Sequence, residues 1–215
     1  MTTALGIDQA TRSGWCHGGT KLPLDQWSTG VFKSPKRDEA GERLIIIEDS
    51  VASLISKFDP DIVVWEAPFN PVRELIEKVR KQAAAASRGA WNEVAIKEEV
   101  FGGYNVSTIE LLAQIKGAVL MAAARAGKPT EGYAPRSWRS TLKLPRPPAG
   151  LITWQAKQKW TKQATLAWVR RMGGQVESED AADAFGLVFH SLHGEPGARR
   201  AQGDLLALAE DYLRA

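Results

Sequence analysis

The 215-residue chain has one cysteine, Cys16, so no intrachain disulfide is possible and packing must hold the fold, as in proteins of a reducing cytosol. Cys16 is expected to pack as a small apolar residue in an early strand. No apolar run approaches the roughly 20 residues of a helix that crosses a bilayer, so no such helix is expected. Met1-Thr2-Thr3 runs straight into a strand without a charged-then-apolar leader, so the expected location is cytoplasmic, with no membrane partner. Internal repeats are absent too. Acids are missing from a whole stretch: between Arg136 and Arg171 there is no Asp or Glu, while Arg136, Arg139, Lys143, Arg146, Lys157, Lys159, Lys162, Arg170 and Arg171 crowd in. A block of one sign, interleaved with Trp and Pro, suits a phosphate backbone better than the modest net charge of +3 suggests. The plainer reading of the same block is a solubilising surface.

What is present is an ordinary globular composition, 44% hydrophobic and 25% charged. Three strands are expected first, at 3–9, around Gly14-Trp15-Cys16-His17, and at 26–32, with Gly18-Gly19 and Gly30 as turn or bulge material. Asp38 opens a helix whose Leu44, Ile47, Val51, Leu54 and Ile55 follow helical spacing, and Asp59-Pro60 stops it. The nearly all-apolar 61–66 reads as a strand covered on both faces. Strands followed by a βαβ crossover predict an α/β fold, a mixed sheet with helices on its faces. Residues 70–103 read as a helical excursion. A long helix at 107–127, sandwiched, leads to a short strand near 131–134 and a helical turn at 136–142. Helices follow at 153–172 and, capped by Ser178, at 179–192. The expected organisation is one domain over 1–193 containing the 70–103 excursion, then an extension, 194–215, with a small helix at 203–213.

Four carboxylates stand out. Asp8 closes the run Ala4-Leu5-Gly6-Ile7, Glu66 closes Ile62-Val63-Val64-Trp65, and Asp180 and Asp183 open the late helix. Singly, each has a plain explanation: an Asx-turn at Asp8, a strand-end charge reaching water at Glu66, first-turn acids favoured by the helix dipole at Asp180 and Asp183. Together they ask for more. Strands at the sheet centre deliver Asp8 and Glu66 from neighbouring carboxyl ends, and i, i+3 spacing puts Asp180 and Asp183 on one helix face. Buried carboxylates need partners. Hard divalent cations supply them, and a pair of such ions about 4 Å apart serves phosphodiester cleavage.

"ALGIDQATRSGW", "DIVVWEAPF" and "EDAADAFGLVFHSL" resemble, in order and spacing, the motifs of the RuvC-type Holliday junction resolvases of the ribonuclease-H-like superfamily. The likeness covers roughly 3–70 and 107–193, and Tyr133-Ala134-Pro135-Arg136 is similar to the family's fifth-strand region. It implies a ribonuclease-H-like mixed five-stranded sheet with helices on both faces, a homodimer, and Mg²⁺-dependent paired nicking of branched DNA at a four-way junction. Carried over, it implies two Mg²⁺ per site, with Mn²⁺ as substitute, on Asp8, Glu66, Asp180 and Asp183. Lys162 is similar in placement to a family lysine near the scissile phosphate. Phe69 resembles an aromatic that stacks on junction bases, with core packing its alternative. From the acid-free basic block, Arg136, Arg139 and Lys159 are expected to join Lys162 on the DNA. The family's Pro-Gly after the first acid is Gln9-Ala10 here, 70–103 is longer than usual, and 195–215 is an extension.

Trp65 and Trp168 are expected in the core, and at most one of Trp138, Trp154 and Trp160 against sugar or base. His190 is expected to be a core histidine near its helix end. Two rival readings remain. One is the same fold acting on flaps, replication intermediates or RNA/DNA hybrids. The other, from "GIDQATRSG", is an actin-like or sugar-kinase-type ATP-binding domain, which would need a second glycine-rich phosphate loop that the chain lacks.

Overall fold

In this computed structural model residues 1–9, 12–33, 40–67 and 106–197 are described. Strands β1 (Thr3–Asp8), β2 (Arg12–Gly19), β3 (Ser28–Lys33), β4 (Ile62–Glu66) and β5 (Thr130–Tyr133) form one mixed sheet in the order β3-β2-β1-β4-β5. The first three pair antiparallel, and β1–β4 and β4–β5 pair parallel, so β1 lies at the centre beside β4. The helices are α1 (Ala40–Phe58), α2 (Val106–Arg125), α3 (Pro135–Thr141), α4 (Trp154–Arg171) and α5 (Glu179–His193). The expected helix start at Asp38, the excursion 70–103, Phe69 and the helix 203–213 lie outside the described residues. No described helix is long and apolar enough to cross a membrane.

The period of two along each strand sorts the side chains into two cores. Leu5, Ile7, Val63 and Trp65 pack against Ile47, Val51 and Ile55 of α1 and Ile115, Val119 and Ala123 of α2. Ala4, Cys16, Ile62 and Val64 face Ala181, Ala184, Phe185, Leu187 and Val188 of α5, flanked by α3 and α4. By the same alternation Asp8 follows Ala4, and Glu66 follows Ile62 and Val64, onto the α5 side. A one-residue slip of register would turn both acids to the other face.

The helix α5 lies close on the sheet because glycines leave room for it. A Cβ on Gly6 would stand 2.6 Å from a Val188 methyl and 2.8 Å from the Ala184 carbonyl, and one on Gly14 would overlap the Asp180 backbone. Gly14 is the register partner of Asp8, so the same close approach brings the start of α5 to the end of β1.

Several local expectations are corrected. Gly18-Gly19 and Gly30 are not turns: they lie inside β2 and β3, and Gly30, opposite Trp15, leaves space for that indole, as Gly18 does for Trp27. A glycine that seats a large ring and one that makes a turn look alike in sequence. Among the described residues the long helix α2 is covered on one side: Ile115, Val119, Ala122 and Ala123 are buried, whereas Met121 is exposed. Cys16 is buried in β2, Trp65 and Trp168 belong to the cores, and His190 is buried with its Nδ1 2.7 Å from the Thr141 hydroxyl.

Candidate active site

Asp8 and Glu66 end adjacent parallel strands at the centre of the sheet, at their carboxyl ends. Ser178 caps α5, its hydroxyl accepting the Ala181 N–H at 3.1 Å, which fixes the first turn of the helix. Asp180 then lies at the rim of the site and Asp183 one turn deeper, 1% exposed. These three elements bring four acids within electrostatic reach of one another.

Burial and mutual repulsion show in their acidities. Burial raises Asp8 well above the ordinary carboxylate value, Glu66, Asp183 and Asp180 raise it further, and Lys162 pulls it back only in part. Burial likewise raises Glu66, against the lowering effects of Arg139, the Trp138 hydrogen bond and Lys162. Asp183 is pushed up to about 7 by burial; Arg139 and Lys162 oppose that, and Glu66 and Asp180 add to it.

Cations compensate. Lys162 Nζ donates to Asp180 Oδ1 at 2.8 Å and stands 4.0 Å from Asp183 Oδ2. Burial alone would lower the Lys162 pKa, but its hydrogen bond to Asp180 and the charges of Asp183, Asp8 and Asp180 together raise it. Arg139 Nη2 donates to Asp183 Oδ2 at 3.4 Å, and Arg12 Nε stands 3.7 Å from Asp180 Oδ2. Beside the first turn of α5 runs an open cleft of about 760 Å³, with Arg12, Arg170 and Lys57 among its lining residues.

Compensation is incomplete. Asp183 Oδ1 is buried and accepts no hydrogen bond from the described residues. An orphaned carboxylate oxygen beside three further acids is a donor set that fits a hard divalent ion. As placed here, no group of three Asp, Glu, His or Cys side chains among the described residues could hold a metal ion without moving. In this arrangement Lys162 and Arg139 partly neutralise the acids.

Of the residues singled out by sequence, Asp8, Glu66, Asp180, Asp183 and Lys162 are thus brought together. Arg139, expected on the DNA from the acid-free basic block, lies against Asp183, whereas Arg136 and Lys159 are exposed on α3 and α4. Phe69 lies outside the described residues. Trp138 is corrected: instead of standing among surface cations to meet sugar or base, it is fully buried and donates its Nε1–H to Glu66 Oε2 at 2.9 Å. Trp160 is half-buried on α4. Sequence reasoning missed Trp138 and Arg12 as neighbours of the acids. Only Arg12 left a signal, four residues after Asp8 on the returning strand.

No family model matches the chain. In sequence it is 29% identical over 201 residues to the crossover junction endodeoxyribonuclease RuvC of a Roseiflexus species, covering 93% of this chain and 95% of that protein. To the protein of the same name from Corynebacterium diphtheriae it is 25% identical over 174 residues, covering 80% of this chain and 78% of the relative. In structure it is similar to Thermus thermophilus RuvC, with a TM-score of 0.56 at 19% identity over 91% of this chain and 97% of that one. The same protein solved in complex with Holliday junction substrate gives a TM-score of 0.55 at 18% identity, covering 90% of this chain and 98% of the other.

Proposed function

We propose, on the premise that the chain is a relative of the RuvC-type proteins with their ribonuclease-H-like fold, that it is an endonuclease resolving four-way DNA junctions by paired symmetric nicks. The observation that carries this reading is the convergence of Asp8, Glu66, Asp180 and Asp183 from two central strands and one helix. So much buried negative charge is destabilising without a partner, and the orphaned Asp183 Oδ1 supports a cation as that partner.

The four acids hold two Mg²⁺, with Mn²⁺ able to substitute. A metal held there would supply the Lewis acidity needed to activate a water and to stabilise a leaving 3′ oxygen. The protein's own groups do the rest. Lys162, fixed beside Asp180 and Asp183, offsets negative charge developing on the attacked phosphate. Arg136 and Lys159, exposed in the acid-free block, hold the flanking phosphates, and their contribution weakens with salt. Phe69 stacks on a junction base. Resolution needs two cuts related by the junction's own two-fold axis, which a homodimer supplies, and the enzyme acts in the cytoplasm.

The test is a labelled four-way junction beside a matched linear duplex, a flap and an RNA/DNA hybrid, each with Mg²⁺ or EDTA. Paired, symmetric, EDTA-sensitive nicks in the junction alone support the reading. Preference for flap or hybrid would move it to another nuclease of this fold, and ATP turnover without cleavage would overturn it.

A further inference from the structure

Trp138 has no exposed surface, yet its one polar atom is not turned into the apolar core. A buried indole needs an acceptor for its N–H. Here the acceptor is Oε2 of Glu66, at 2.9 Å. A donor fixed by packing to one carboxylate oxygen restrains a group whose terminal torsion is otherwise loosely set. The same ring has a second duty: the Arg139 guanidinium lies over its face, 4.6 Å from the ring centroid, and Arg139 reaches on to Asp183. Edge and face of one side chain therefore act on acids from two different elements.

The rest of the fold makes room for this ring. Gly186 lies in the middle of α5, where a glycine weakens a helix. A Cβ there would stand 2.6 Å from Trp138 Cζ3 and 3.2 Å from Leu142 Cδ1. The helix that carries Asp180 and Asp183 thus carries the gap that seats the indole.

We infer that Trp138 is a positioning residue: its N–H orients the Glu66 carboxylate for a divalent ion, and its face sets Arg139 beside Asp183. This inference rests on the metal-site reading above. It reaches beyond the acids themselves to the packed side chain that holds them.

The experiment separates packing from hydrogen bonding. Replacing Trp138 by 3-benzothienylalanine keeps the bicyclic shape and puts sulfur where the N–H was; Trp138→Phe is the coarser variant. Metal binding is read by Mn²⁺ titration of the melting temperature without DNA. The benzothienyl protein is expected to melt within a few degrees of the native one, while its Mn²⁺ half-saturation rises about tenfold, as when an outer-shell partner of a metal ligand is removed. Raising Mn²⁺ should restore much of its junction cleavage, which a merely structural defect would not allow. Independently, the Trp138 indole N–H resonance, assigned by its loss in Trp138→Phe, should shift in Glu66→Gln without metal. A native-like Mn²⁺ half-saturation in the benzothienyl protein, or an indole resonance that ignores Glu66→Gln, would overturn the inference and leave the nuclease reading intact. Native protein that binds no Mn²⁺ would overturn both.

Discussion

The two faces of the central sheet are built on different terms. Against α1 and α2 the packed cluster is apolar, with Ile47, Val51, Ile55, Ile115 and Val119 meeting Leu5, Ile7, Val63 and Trp65. Against α5 the sheet meets aromatic rings and buried polar groups, and Asp8, Asp183 and His190 are all out of water on that side. One face gains stability from the apolar side chains it buries. The other gives up stability to keep charges together, and offsets the loss with Lys162, Arg139, Arg12 and the indole of Trp138. The lesson is that the faces should respond to mutation in different currencies, stability alone on the α1–α2 side, stability and chemistry together on the α5 side.

The largest effect expected is from Gly14→Ala. Its methyl would overlap the Asp180 backbone, so α5 must move off the sheet. Stability should fall by about 3 kcal/mol or more, since core overpacking of this kind has little room to relax, and folded molecules should lose cleavage as well. Denaturant unfolding and a junction assay on the same preparation check both. Next is Ile47→Ala on the opposite face, fully buried against the sheet. It should cost about 2–5 kcal/mol while leaving cleavage per folded molecule unchanged. Lost chemistry in this variant would erase the distinction between the faces.

This division was partly legible in the sequence. Helix α5, its Ser178 cap and the i, i+3 acids follow from local pattern, and so do the strand ends that carry Asp8 and Glu66, because neighbours in the chain set them. Trp138 was not legible. A tryptophan between a serine and an arginine in a basic stretch reads as surface, and its burial depends on Gly186, far along the chain. The inward turn of Arg139 was not legible for the same reason: a cation in a run of cations gives no hint that it reaches Asp183. The glycines of β2 and β3 misled because their role is set by rings on the neighbouring strand or beyond the sheet. Periodicity reports which face a residue takes, but not which distant gap it fills.

A pH series sharpens the comparison. With Asp183 raised to about 7 and Asp8 and Glu66 raised as well, the native state keeps protons that the unfolded chain has already released. Stability of the metal-free protein should therefore fall as pH rises from about 4 to 7, by up to about 1.4 kcal/mol per pH unit for each proton retained. Added Mg²⁺ should flatten the fall. Denaturant midpoints measured in EDTA and in Mg²⁺ check the sign, and a metal-free protein that becomes more stable over that range would contradict it.

The smallest effect expected is from Gly117→Ala in α2. Beyond its own helix no described atom lies within 4 Å of the added methyl, so the substitution should raise stability by about 0.5–1 kcal/mol through helix propensity. Cleavage should not change. The contrast with Gly14→Ala is then between a glycine that nothing needs and one on which the site depends.

The central claim is that buried carboxylates on the α5 face are kept for chemistry at the expense of the fold. Asp183→Asn tests it most directly, because it removes a buried charge while keeping side-chain volume and an oxygen that can still accept from Arg139. Junction cleavage and metal-free unfolding are measured on one preparation at pH 8. The account predicts cleavage lower by orders of magnitude, junction binding retained, and stability equal to or above that of the native protein. Near-native cleavage, or a large loss of metal-free stability, would contradict it.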